Sequence, residues 1–346
     1  MRALTFAGLK TIRHEIVADP RLEHDSDAIV RVERAGLCGS DLHVYHGREV
    51  GQDVGTIMGH EILGRVVESG PGARRYPAGT RVVAPFSTCC GHCFYCERGM
   101  SARCSEGALF GWVQNGRGLQ GAQAEFVRVP HADATLVAID DDLPGELALL
   151  LADVVPTGWH VARLGEIRTG DVIVVLGCGP VGLAAIVAAH EQGAHRIFAV
   201  DAIPERLVLA ARFGAEPLSL KDDVAAAVRE ATDGRGADAV LEVVGSPEAS
   251  RLAFDLVRPG GVVAIAGVHH ESHFAFSPLE AYDRNLTLRI GRCPARSLMD
   301  ELQSLLRRRS DLAAMVTHPR PLADGPSAYE LFDRKMDGCI KVVFTP

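Results

Sequence analysis

The sequence predicts an α/β protein built from two domains, one β-rich and one a doubly wound parallel sheet. Three observations carry that expectation. At 346 residues the chain exceeds the ~250–300 at which a single core usually stops growing. Residues 1 to about 150 are short apolar runs broken by Gly and Pro, whereas strand-like and helix-like segments alternate from about residue 170 onward. Alternation of that kind is the signature of a parallel sheet covered by helices.

Taken in order, the N-terminus Met1-Arg2-Ala3-Leu4-Thr5-Phe6 lacks the apolar core of a signal peptide and reads as a first strand, so a cytoplasmic location is expected. Further strands are expected at Ala28 to Val32, Ile62 to Val67 and Arg81 to Ala84, separated by the turn signals Ser69-Gly70-Pro71-Gly72 and Pro77-Ala78-Gly79. Gly121 to Pro130 alternates toward another strand, with no obvious chemistry in it.

The β-rich half carries the reactive side chains. Cys38-Gly39-Ser40-Asp41-Leu42-His43 places a thiol, a hydroxyl, a carboxylate and an imidazole in six residues, and Gly59-His60-Glu61 precedes a strand. A thiolate and an imidazole are ligands that Zn²⁺ accepts, and a catalytic zinc needs three protein ligands with a fourth position open. Cys90, Cys93, Cys96 and Cys104 follow with gaps of two, two and seven residues. An iron-sulfur site starts from the same two-residue gaps, but its bacterial ferredoxin form wants Cys-Pro after three more residues, where Met100 and Ser101 stand. The reading is a closed four-cysteine zinc site, with Cys89 a spare thiol outside it; having no open position, such a metal holds a lobe together and does no chemistry.

In the second half, Asp171 to Leu176 holds a mostly β-branched run and leads directly into Gly177-Cys178-Gly179-Pro180-Val181-Gly182. A helix is expected over Leu183 to Gln192, then a strand from Arg196 to Val200 ending at Asp201. Strand, glycine motif, helix and acidic residue together form a dinucleotide-binding fingerprint: Gly177, Gly179, Pro180, Val181 and Gly182 let backbone approach a pyrophosphate, and Asp201 accepts from ribose hydroxyls. A 2′-phosphate would be repelled by that carboxylate, so NAD is expected over NADP, with Arg206 as the residue that could also line the ribose. Helices Asp222 to Thr232, Pro247 to Arg258 and Met299 to Arg308 follow, with strands Ala237 to Val244, Gly261 to Gly267, Leu286 to Gly291 and Cys339 to Phe344.

Composition removes several functions. A formal charge of -8 argues against nucleic acid or an anionic membrane, whose binding needs clustered Lys and Arg. Val172 to Ala189 lacks any charge over 18 residues, near the length of a membrane span, but its Gly-Pro interior breaks it into strand and helix. Nine cysteines without a signal peptide point to metal binding or burial rather than a disulfide framework.

Together these motifs, covering essentially the whole chain, resemble the zinc-dependent alcohol dehydrogenases of the medium-chain dehydrogenase/reductase superfamily. The resemblance implies a GroES-like catalytic domain over 1–153 and 292–346 and an NAD-binding Rossmann domain over 154–291. It also implies two zinc ions per chain, one catalytic and one structural. Asp153 in Leu151-Ala152-Asp153-Val154-Val155-Pro156 stands where the family has its third catalytic zinc ligand, beside Cys38 and His60. Glu61 would be a direct or transient ligand, Asp41 would orient an imidazole, and Thr157 would lie near the nicotinamide. The implied reaction passes a hydride between an alcohol and NAD, the proton leaving through Ser40, a ribose hydroxyl and His43. Phe86, Phe110 and Trp112 could wall the pocket for apolar medium-chain or aromatic alcohols, or be ordinary core aromatics. A homodimer or homotetramer is implied. A polyol or threonine-type dehydrogenase shares these features and is separated by a substrate panel. A catalytically silent NAD-binding protein is the alternative of another class, separated by zinc content and turnover.

Overall fold

Ala28–Leu37 is the strand on which the first sheet is built, buried at seven of its ten positions. It pairs antiparallel with Ile62–Ser69, Phe126–Val129 and Lys341–Thr345, inside a seven-stranded sheet that also holds Arg81–Ala84, Val137–Ala138 and Val316–Pro321. The strand runs past the expected Val32 because Ala35, Gly36 and Leu37 find ladder partners in Phe344, Val343 and Val342. A Cβ at Gly36 would overlap the carboxylate of Glu61, so the close approach requires glycine. The continuation delivers the chain to Cys38, and the helix Asp41–Tyr45 begins three residues later. Arg2–Phe6 does form a strand, in a two-stranded sheet with Ile12–Ile16. The computed structural model describes residues 1–346; all of these elements fall in a compact unit made of Met1–Pro156 and Pro294–Pro346.

The second compact unit, Thr157–Cys293, holds a parallel sheet in the order Glu216–Ser219, Arg196–Asp201, Val172–Leu176, Ala237–Glu242, Val257–Ile265, Thr287–Ile290. This is the doubly wound order, reversing direction beside the first strand, which is where such sheets open a ligand crevice at their carboxyl ends. Val172–Leu176 is buried at every position, as a strand covered on both faces must be.

Four local boundaries differ from the sequence reading. The helix after the glycine motif starts at Pro180, inside it, because proline suits a first turn whose N–H has no intrahelical partner. The helix expected over Asp222 to Thr232 spans Val224–Glu230 with Asp223 as N-cap, its Oδ1 accepting from Ala226 N at 2.9 Å. Pro247–Leu256 gives way at once to a strand beginning at Val257 rather than Gly261, with a register shift opposite Ala237 and Ala239 that absorbs Pro259 and Gly260. The last long helix is Ala295–Arg308. The uncharged run from Val172 is divided by a turn at Gly177, whose φ is +90°, and no helix is long and apolar enough to cross a membrane.

Candidate active site and metal centres

The four cysteines of the lobe converge. Cys90, Cys93, Cys96 and Cys104 place one sulfur each within 4.8 Å of one another, and Cys93 Sγ lies 3.9 Å from Cys104 Sγ. A tetrahedron with Zn–S bonds of about 2.3 Å has edges of about 3.8 Å, so the donor set fits zinc. Left-handed Gly91 and Gly99 fold the chain around it. Backbone N–H groups of Cys96 and Ser105 hold the Cys93 thiol down to about 5, a thiolate ready for metal. Cys89 stands apart: buried, with Sγ on the Ala134 carbonyl at 3.5 Å, its thiol is pushed up to about 11 by burial.

A second cluster joins Cys38, His60, Glu61 and Asp153, again with one ligand atom from each within 4.8 Å of the others. Asp153 Oδ2 is 3.6 Å from both Cys38 Sγ and His60 Nε2, edge lengths that suit a single small ion between them. His60 Nδ1 faces Asp41 Oδ1 at 3.3 Å. Donation from Nδ1 to that carboxylate leaves the Nε2 lone pair toward Cys38 and Asp153, the tautomer a metal requires. Burial opposes the imidazolium, but Asp41, followed by hydrogen bonds to Asp153 and Cys38, carries His60 well above the usual histidine range. Ser40 Oγ is 3.4 Å from His60 Nε2, and His43 lies one helical turn further on, in Asp41–Tyr45.

Glu61 is in the cluster, yet its nearest partner is a base. Lys341 Nζ donates to Glu61 Oε1 and, at 3.0 Å, to the Leu37 carbonyl; both side chains are buried. Burial works against the ammonium, and the Glu61 carboxylate outweighs it, raising Lys341. Glu61 Oε2 has no partner. A further layer orients Asp41: its Oδ2 accepts from Cys38 N at 2.9 Å and Gln123 Nε2 at 3.4 Å, while Gln123 Oε1 accepts from Tyr329 OH at 2.9 Å. Gln123, Tyr329 and Lys341 were invisible as site residues in the sequence. The segment around Gln123 gave no chemical signal, and only a buried amide, phenol and ammonium beside a candidate ligand mark them.

In the second unit, Gly177, Gly179, Pro180, Val181 and Gly182 form the turn and the first helical turn of Pro180–Glu191, with Gly179 as N-cap. A Cβ at Gly182 would overlap the Gly177 carbonyl, and one at Gly177 would lie 2.7 Å from Val244 Cγ2. The Asp201 carboxylate secures this loop, Oδ2 accepting from Cys178 N at 2.7 Å and Oδ1 from Ile203 N at 2.9 Å. Two acceptor positions remain for a ligand. Arg206 Nη1 is 3.6 Å from Asp201 Oδ2, and its Nε is buried without a partner. Thr157 lies in the helix Val154–Leu164. Of the three aromatics, Phe110 belongs to the buried core between the strands, which removes it from a pocket wall, whereas Phe86 and Trp112 are half-buried.

Comparison with known proteins agrees with this geometry. Residues 24–141 match the model of the alcohol dehydrogenase GroES-like domain, and residues 180–307 that of the zinc-binding dehydrogenases. Zinc-type alcohol dehydrogenase B of Aspergillus flavus is 40% identical over 343 residues, covering 96% of this chain and 79% of that one. An NADP-dependent isopropanol dehydrogenase of Clostridium beijerinckii is 32% identical over 300 residues, with 84% and 85% covered. The structure of alcohol dehydrogenase TADH from Thermus sp. ATN1 superposes with a TM-score of 0.93 at 39% identity, covering 100% of this chain and 99% of that one. Two matched domain models, relatives that span the chain and a shared fold agree: this chain belongs to the zinc-type alcohol dehydrogenases of the medium-chain dehydrogenase/reductase superfamily.

Proposed function

We propose that the protein is an NAD-dependent, zinc-containing dehydrogenase of apolar medium-chain or aromatic alcohols, acting in the cytoplasm as a homodimer or homotetramer. The observation that carries the reading is the convergence of Cys38, His60 and Asp153 with the Ser40 hydroxyl beside them. In this reading the unit of Met1–Pro156 and Pro294–Pro346 is the catalytic domain and Thr157–Cys293 binds the coenzyme.

Cys38, His60 and Asp153 would hold the catalytic zinc, and Cys90, Cys93, Cys96 and Cys104 the structural one. A thiolate and a carboxylate with a neutral imidazole balance the charge of Zn²⁺ and leave one position open. Zinc supplies acidity to a bound alcohol, or polarises a carbonyl in the reverse direction, and the nicotinamide exchanges the hydride. The chain's own task is to hold and move the proton. Ser40 Oγ takes it from the substrate hydroxyl, and His43 passes it to solvent. Asp41, braced by Gln123, keeps the His60 ring turned so that Nε2 is the ligating atom. Positioned acid-base groups contribute about 10²- to 10⁴-fold, so Ser40→Ala is expected to lower kcat at neutral pH at least about 100-fold with zinc retained. An unchanged kcat removes Ser40 from the relay.

Asp201 supports NAD, since its carboxylate stands where a 2′-phosphate would add like charge, and Arg206 is already committed to it at 3.6 Å. Higher kcat/KM with NADP than with NAD would reverse this assignment. Half-buried Phe86 and Trp112 support apolar substrates, and an NADH-linked screen over primary, secondary, aromatic and polyol substrates decides among classes. Metal analysis should find about two zinc per chain. The edge strand Thr287–Ile290, next to Tyr282 at 84% and with Ile290 at 52% exposure, supports self-association; light scattering reads it directly.

A further inference from the structure

At the carboxyl end of Ala237–Glu242, the Glu242 side chain is fully buried. Its Oε1 accepts two backbone N–H groups, from Val244 and Gly245, each at 2.7 Å. Its Oε2 faces His269 Nε2 at 3.0 Å, and the other ring nitrogen, Nδ1, faces Glu271 Oε2 at 3.0 Å. A neutral imidazole has a single N–H and could satisfy only one of these carboxylates; the cation satisfies both. Ser250 Oγ completes the surroundings, 3.4 Å from Nε2. His269 thus supplies the partner for Oε2 of a carboxylate shut away from water, and such a group is costly when left without one.

The two segments joined in this way are the loops that follow neighbouring strands. Val243, Val244 and Gly245 follow the strand ending at Glu242, and Ala266 to Glu271 follow the strand ending at Ile265. Ala266 N and Gly267 N donate to the Glu242 carbonyl at 3.0 and 3.2 Å, so backbone and side chain of one residue hold both loops. The space for this is made by glycine: a Cβ at Gly267 would lie 2.8 Å from Glu242 Oε2. The first loop touches the glycine motif through Val244 and Gly177. Val244 and Val268 remain 51% and 43% exposed, apolar surfaces at the end of the sheet where doubly wound folds receive their ligands.

From this we infer that His269 is a positioning residue for the coenzyme: bridging Glu242 and Glu271 through its two ring nitrogens, it clamps the two loops that border the glycine motif in their dinucleotide-binding shape. The inference rests on the reading of Thr157–Cys293 as the coenzyme domain. The test compares wild type, His269→Leu, His269→Gln and the double variant Glu242→Gln/His269→Leu as zinc-replete enzymes, titrated with NADH and with NADPH. His269→Leu is expected to bind its coenzyme at least about tenfold more weakly, and the loss should fall on cofactor KM more than on kcat. His269→Gln, which keeps one N–H for Glu242, should lie between it and wild type. The double variant, with no buried charge left to neutralise, should recover most of the affinity, a rescue that mere loosening of the fold would not produce. Wild-type affinity in His269→Leu overturns the clamp alone, as does a double variant no better than the single one. Wild-type protein that binds neither dinucleotide overturns the coenzyme reading, and the clamp with it. Should His269→Leu not fold, His269→Gln decides: coenzyme binding weaker than wild type supports the clamp, and binding equal to wild type overturns it.

Discussion

Lys341→Met isolates the energetic role of the buried pair beneath the candidate catalytic cluster. The ammonium is 1% exposed and the Glu61 side chain 0%, and methionine fills a similar volume without charge. Glu61 Oε2 has no partner, so removing Lys341 leaves the carboxylate with no compensation. Breaking a buried pair by deleting one member costs about 3–5 kcal/mol. Loss of the hydrogen bond from Nζ to the Leu37 carbonyl is part of that figure and not added to it, because contacts in one network do not sum. For a domain of this size each kcal/mol moves Tm by about 2–4 °C, so the midpoint of the unit containing Lys341 should fall by roughly 6–20 °C. Far-UV circular dichroism of zinc-replete protein reads the transition. The double variant Glu61→Gln/Lys341→Met should regain more than half of the loss, since two neutral groups need no pairing. A drop under about 3 °C in the single variant, or a double variant as unstable as the single, would refute the argument that Lys341 compensates the Glu61 charge.

Other consequences are open to simpler measurements. After zinc is stripped, iodoacetamide at pH 7 should label Cys93, whose thiol is held down to about 5, well before Cys89, which burial pushes up to about 11; peptide mass spectrometry gives the order, and equal labelling of the two counts against it. In metal-free protein His60 is raised well above its usual value: burial works against it, and the Asp41 carboxylate, with hydrogen bonds to Asp153 and Cys38, overcomes that. A raised folded value stabilises fully below the unfolded pKa of about 6.5 and is lost as pH climbs through the folded one. The Tm advantage of metal-free wild type over Asp41→Asn should therefore be large near pH 6 and shrink toward pH 9; a gap that widens with pH contradicts it. Gly182→Ala must displace the Gly177 carbonyl, so it should cost about 1–3 kcal/mol of stability and weaken coenzyme binding, read by denaturant midpoint and NADH titration.

How far the sequence discloses such a site depends on whether the groups that meet are near in sequence. Cys90 to Cys104 close on each other within one loop, and Gly177 to Gly182 act within one turn, so spacing alone predicts their geometry. Cys38 and His60 are brought together by one antiparallel pairing, Ala35 opposite Ile62, and family resemblance was needed to add Asp153. Lys341 is out of reach of either argument: it is paired with Glu61 across 280 residues, and in the sequence it is one basic residue in a run of β-branched ones. What fixes it is the register Val342 opposite Leu37, which sets Lys341 beside the strand end that delivers Cys38. The Glu242–His269 pair has the same character, since two parallel strands must first form before their following loops can exchange a proton donor. In both cases a buried carboxylate is matched by a base from another strand of its sheet or the loop that follows one. Strand register therefore decides which charges can be buried around the two sites, and a one-residue slip in either pairing would move the base away from its carboxylate.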